Sequence, residues 1–331
     1  MVQARSTGAF TALARVWTGR MIETLGLTKR YGRTVAVKDL TMQVSPGLVT
    51  GFLGPNGAGK STTMRLIVGL DRPTAGSVTV NGRPYAEHRN PARQVGALLD
   101  ARARDPRLTA RSYLRAAAAT HGIADTRVDE LLELTGLSSV ARRAVGAFSL
   151  GMTQRLGMAT ALLGDPQTLI LDEPINGLDP EGVLWIRLLL RQQADLGKTV
   201  FVSSHLMSEV ALFADDLVIL GRGRLLLQES MSAFIANSST RAIRVRSVQA
   251  EEIAEALRGQ PVGVAWLGPG VLRIDGIGAD EMGALALKRG WTLGELAPLT
   301  ASLEEAYMRL TETAVEYHSQ RPATVARRVT L

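Results

Sequence analysis

Four short runs dominated by aliphatic and β-branched residues stand out from the polar background: Leu48 to Leu53, Thr168 to Leu171, Thr199 to Ser203 and Asp216 to Leu220. Runs of this length without polar alternation fit strands covered on both faces, as a parallel sheet requires. Between them, Arg111 to Gly122 and Asp125 to Gly136 carry apolar residues at helical spacing and few strand formers, which predicts a helical insert over about residues 101–161. Residues 21–237 therefore read as one α/β domain with a largely parallel sheet.

A polar joint, Asn237 to Thr240, ends this pattern. Beyond it the periodicity predicts strand (Arg241 to Val248), helix (Ala250 to Gly259), two strands around Gly268 to Gly270, helix (Asp280 to Arg289), strand and helix. That order is similar to a small split βαβ sandwich, an α+β unit over residues 238–315. Residues 1–20 and 316–331 read as flexible extensions, with Met21 opening the first domain. There is no tandem repeat and no sustained heptad.

With 331 residues, 46% hydrophobic and 21% charged, the chain can bury two cores and is not intrinsically disordered. The absence of cysteine excludes a disulfide scaffold, a thiolate metal site and a thiol nucleophile, and suits a reducing cytosol. The net charge of +7 is concentrated at the ends, +3 in residues 1–20 and +2 in residues 316–331, which leaves only +2 on the body. No basic nucleic-acid face is expected from that balance, and 5% aromatics offer little to stack on single strands. Arg15 interrupts any secretory apolar core, and the long uncharged stretch Leu40 to Gly59 is too polar to span a bilayer. A membrane role would come through a partner.

The chemistry-bearing pattern begins at the end of the first buried run. Residues 54–62, GPNGAGKST, fit G-x-x-x-x-G-K-[ST] between a strand and a helix. In such a loop Gly54, Gly57 and Gly59 let the backbone bend around Pro55, Asn56 and Ala58, so that amides face an anion at a helix N-terminus. Lys60 would reach the β- and γ-phosphates, Ser61 would place its hydroxyl on Mg²⁺, and Thr62 would help to hold the α-phosphate. A second buried run delivers Asp172 and Glu173 at its carboxyl end, where an α/β sheet places its chemistry. Asp172 is expected to hold the metal and Glu173 to act as general base. His205, at the end of a third run, emerges on the same edge and could bind the γ-phosphate. His88, His121 and His318 show no metal-ligand spacing and read as solvated.

From Tyr31 to His205 these motifs resemble, in order, the nucleotide-binding subunit of an ABC transporter. They are GLTKRYG, GPNGAGKST, FSLGMTQR (Phe148 to Arg155), LILDEP, GLD (Gly177 to Asp179) and VSSH. The resemblance implies a P-loop NTPase fold, an ABC-type nucleotide-binding domain with a helical subdomain, and ATP with Mg²⁺ as ligands. It implies that Tyr31 stacks on adenine, that FSLGMTQR is the signature sequence, that GLD is the D-loop containing Asp179, and that His205 is the switch histidine. Ser149 and Gly151 would face the γ-phosphate held by an opposite subunit. One chain carries one phosphate loop and one signature, so two complete sites imply an ATP-closed two-fold dimer.

Three positions depart from the family pattern. Leu150 and Met152 replace usual signature residues, and aligning VGALLD (Val95 to Asp100) with the strand into the Q-loop puts Asp100 where a glutamine is usual. A carboxylate there can still serve as a metal ligand. The phrases YGRTVAVKDL, ALLDARA and LDEPINGLDPEG, with the small carboxyl-terminal domain, are most similar to ATPase subunits of bacterial drug and antibiotic-peptide exporters. Such subunits work at the cytoplasmic face of the membrane with a separate multispan permease, docked near Asp100. A regulatory ABC ATPase acting on ribosomes or DNA is the alternative, but it would carry paired domains with a basic linker, or long coiled coils. A scaffold without turnover would lack the base, and Glu173 is present.

Overall fold

The computed structural model describes residues 22–100, 105–238, 242–299 and 303–312. The expectations for residues 1–20 and 316–331 lie outside that set. The chain divides into two compact units, with the break between Gln228 and Glu229 and the second unit running to Leu310.

The first unit opens with β1 (Ile22–Tyr31), β2 (Thr34–Val44) and β3 (Val49–Leu53), followed by α1 (Lys60–Ile67) and β4 (Ala75–Val80). A single turn, α2 (Pro91–Gln94), precedes β5 (Val95–Leu98). Then come α3 (Ala110–Thr120), α4 (Asp125–Leu134) and α5 (Leu150–Ala161), the helical insert. The chain returns to the sheet with β6 (Thr168–Leu171), α6 (Pro180–Asp195), β7 (Thr199–Ser204), a short α7 (Met207–Val210), β8 (Asp216–Gly221) and β9 (Arg224–Ser230).

Six strands form one sheet in the order β5-β6-β7-β3-β8-β9. Its core is parallel: β3 pairs with β7 and β8, and β6 with β5 and β7. Every residue of β3, β6 and β7 is buried, which is why these strands read as continuous apolar runs. Phe52 and Phe201 meet across β3 and β7 with ring centroids 4.8 Å apart. β9 follows β8 through a two-residue turn in which Arg222 and Gly223 both have positive φ, the twist that tight hairpins require.

The largely parallel sheet is as expected, and a second sheet that the apolar runs did not reveal accompanies it. β2, β1 and β4 form a separate antiparallel sheet that packs into the same core. Bulges interrupt its register between Thr24 and Leu27 and again before Lys29, so the two-residue alternation slips within β1.

The second unit comprises α8 (Met231–Ser238), β10 (Ala242–Ser247), α9 (Ala250–Ala256), β11 (Gly263–Gly268), β12 (Val271–Asp275), α10 (Ala279–Arg289), β13 (Leu293–Leu299) and α11 (Leu303–Thr311). Its antiparallel sheet has the order β11-β12-β10-β13, the arrangement of a split βαβ sandwich. Ile243, Val245, Leu272 and Ile274 share one sheet face and pack with Ile253 and Leu257 near α9 and with Met282 of α10. Among the described residues no helix is long and apolar enough to cross a membrane.

Candidate nucleotide site

β3 ends at Leu53 and the chain turns through residues 54–59 before α1 begins at Lys60. Gly57 and Gly59 have φ of 81° and 99°. A Cβ on Gly59 would stand 2.4 Å from the carbonyl oxygen of Ala36, so the loop excludes any side chain there. The first turn of α1 carries no acidic residue, which leaves its N-terminal end open to an anion.

A cavity of about 430 Å³ lies against this loop, lined by residues 56–62, Ala36, Leu99, Asp172 and Glu173. Lys60 enters it while its Nζ donates to the carbonyl oxygens of Gly54 at 2.6 Å and Pro55 at 3.3 Å. Burial pushes the Lys60 pKa down, against the opposing pull of Glu173 and Asp172. Ser61 and Asp172 offer hard oxygen donors to the same space. No group of three or more Asp, Glu or His among the described residues could hold a metal alone. The donor set thus fits a Mg²⁺ that takes its remaining ligands from phosphate and water.

The acids are tied together by a serine that the sequence reading did not single out. Ser203 on β7 donates through Oγ to Asp172 Oδ1 at 2.5 Å and accepts the Glu173 amide at 2.9 Å. His205 Nδ1 lies 3.0 Å from both carboxylate oxygens of Glu173. Asn176 Nδ2 donates to Glu173 Oε2 at 3.3 Å, and Gln154 Nε2 donates to the Glu173 carbonyl at 3.1 Å. Only a buried hydroxyl at the polar end of an apolar strand could have pointed to Ser203.

The signature segment lies at a helix start. Ser149 caps α5, its Oγ accepting the Met152 amide at 3.2 Å. Asp179 caps α6 in the same way, accepting the Gly182 amide at 2.9 Å, with Pro180 at the first helical position. A Cβ on Gly151 would sit 3.4 Å from the carbonyl oxygen of Gly177, and one on Gly177 would collide with Leu150. Leu150 therefore packs over Gly177.

Within this chain the cavity does not gather every expected residue. Gly54 and Pro55 stand behind it, holding Lys60. His205 reaches it only through Glu173, and Ser149, Gly151 and Asp179 are not among its lining residues. Tyr31 is half-exposed and also outside it, its hydroxyl donating to Asp71 at 2.8 Å and the Lys29 ammonium standing 4.9 Å from its ring centroid. Asp100, expected as a metal ligand, is exposed and is not among the residues that line the cavity, whereas Leu99, just beyond the end of β5, does line it.

A family model described as ABC transporter matches residues 37–176, and another, described as a domain of unknown function, matches residues 241–304. The chain is 42% identical to the bacitracin transport ATP-binding protein BcrA of Bacillus licheniformis, over 62% of this chain and 68% of that protein. It is 35% identical to the lantibiotic transport ATP-binding protein SrtF of Streptococcus pyogenes, over 63% of this chain and 90% of that protein. Among solved structures, a dimeric bacterial ABC transporter cassette matches with a TM-score of 0.59 and 25% identity, covering 63% of this chain and 98% of that one.

Proposed function

This chain belongs to the family of ABC transporter ATP-binding proteins, and from that premise we propose that it powers export of a drug or antibiotic peptide through a separate membrane permease. The proposed place of work is the cytoplasmic face of the membrane, as one half of a dimer closed by ATP. The observation that carries the catalytic reading is that Lys60, Asp172 and Glu173 line one cavity. The names of BcrA and SrtF support transport of an antibiotic peptide over a regulatory role on ribosomes or DNA.

In this reading the amides of residues 57–61 and the Lys60 ammonium bind the phosphates, and Thr62 helps to hold the α-phosphate. Ser61 and Asp172 would hold Mg²⁺, which when bound would supply positive charge to offset that of the phosphates. Glu173 accepts a proton from the attacking water as its oxygen bonds to the γ-phosphorus and the bond to the β–γ bridging oxygen breaks, releasing ADP. His205 fixes the Glu173 carboxylate through its 3.0 Å contacts. Ser149 still has a hydroxyl proton to donate, and with Gly151 and the start of α5 it would complete the site of a second copy. Asp179 belongs to the D-loop of that shared interface, and Tyr31 would offer a ring face to adenine.

Glu173→Gln tests the assignment. The variant should bind ATP, lose turnover and accumulate as a dimer holding two nucleotides, read by light scattering with ATP and Mg²⁺. A variant that stays monomeric or hydrolyses ATP at the parent rate overturns the role of Glu173.

A further inference from the structure

Glu173 has φ of +50°, in the left-handed region. Among the described residues the other non-glycine positions there are Asp39, Asn81, Asp165 and Arg222. Asp and Asn tolerate this conformation through their short polar side chains, and Arg222 belongs to the hairpin turn that demands it. Glu173 has neither reason. Its conformation is held instead by its neighbours, as a strained residue at a working site must be.

Three bonds do the holding, from both sides of the residue. Ser203 Oγ accepts the Glu173 amide at 2.9 Å, while the carbonyl accepts from the Asn176 amide at 3.2 Å and from Gln154 Nε2 at 3.1 Å. Gln154 is 4% exposed and projects from the first turns of α5, the helix that Ser149 caps. A buried side-chain amide thus joins the signature helix to the backbone of the acid.

We propose that Gln154 is a positioning residue for ATP hydrolysis, holding Glu173 in the left-handed conformation that aims its carboxylate and passing movements of α5 to it. The inference rests on the reading of Glu173 as the base. It makes turnover at the cavity depend on the signature helix of the same chain, in addition to the signature of the opposite one.

The test uses the full chain with ATP and Mg²⁺. Gln154→Leu removes the donor at similar volume and should lower kcat about tenfold, the loss of one buried hydrogen bond, with KM for ATP within about twofold. Gln154→Glu supplies a donor only when its carboxyl is protonated, so its kcat relative to the parent should rise as pH falls from about 8 to 6. A merely structural residue would not produce that dependence. An unchanged kcat in Gln154→Leu, an effect confined to KM, or a flat ratio in Gln154→Glu overturns the proposal; if Gln154→Leu fails to fold, the Gln154→Glu profile decides. Glu173→Gln run alongside separates the two ideas: if it is arrested while Gln154→Leu is normal, only Gln154 is wrong, and if it turns over, the base reading falls too.

Discussion

The ammonium of Lys60 lies 2.6 Å from the carbonyl oxygen of Gly54, folded back into the loop that carries it. With 7% of its surface exposed, the cation has exchanged water for carbonyl dipoles. Its lowered pKa, caused first by burial, means that the folded chain holds the charged form less well than water does. Glu173 and Asp172 offset part of that cost, and an anion in the cavity would offset more of it.

This predicts opposite effects of Lys60→Met with and without ATP. Between the lowered pKa and 10.5 the folded chain binds fewer protons than the unfolded one, so the parent gains stability as pH rises through that window. Below the window the desolvation cost is fully present. At neutral pH without nucleotide, Lys60→Met should therefore melt higher, by on the order of 1 kcal/mol or about 2–4 °C. The gap should narrow toward pH 10.5, and the rise in melting temperature on adding ATP should disappear. Scanning fluorimetry at several pH values with and without ATP reads all three. A variant that melts lower than the parent at pH 7 without nucleotide would mean that the carbonyl contacts outweigh desolvation.

Ser149 caps α5, and the proposed dimer would give it a second, separable duty. As the cap of α5 it satisfies the Met152 amide, a bond whose loss on Ser149→Ala should cost about 1 kcal/mol, whereas glycine at a cap costs only a few tenths. As a signature hydroxyl it would donate to phosphate across the dimer, and both variants lack that proton. Melting curves should therefore rank parent and Ser149→Gly together above Ser149→Ala. ATP hydrolysis and ATP-driven dimerisation should fall in both. Normal turnover in Ser149→Gly would confine the residue to capping.

How much was legible in the chain follows from which constraints are local. β3, β6 and β7 could be read because burial on both faces leaves no polar position to confuse the pattern. β1 could not be assigned to its antiparallel sheet because bulges near Gly26 shift the alternation, and Asp39 at φ of 52° breaks β2 in the same way. The phosphate loop was visible because its backbone geometry dictates glycine at fixed spacing. Ser203 and Gln154 act through hydrogen bonds to residues 30 and 19 positions away, and no local period marks such a contact. The second unit read well because its strands and helices alternate cleanly; the placement of β10 between β12 and β13 follows from the split βαβ topology.

Asp100 stands one residue beyond Leu99, which lines the cavity, yet it is itself exposed. A carboxylate brought next to the γ-phosphate would add repulsion unless a cation screened it, and an exposed Asp100 outside the cavity lining avoids that cost when ATP is bound. The position that the family resemblance assigns to permease contact is also the one that could move inward under load. Asp100 is therefore expected to couple transport to hydrolysis and to contribute little to nucleotide affinity. In Asp100→Ala the isolated chain should bind ATP within about twofold of the parent, because less than about 0.4 kcal/mol is at stake at a screened distance. In the complete complex with its permease, the stimulation of ATP turnover by transported substrate should fall several-fold. Equilibrium ATP binding to the isolated chain and substrate-stimulated hydrolysis in reconstituted vesicles give the two readings. Normal stimulation would exclude coupling through Asp100, while a large loss of ATP affinity would return the residue to the nucleotide site.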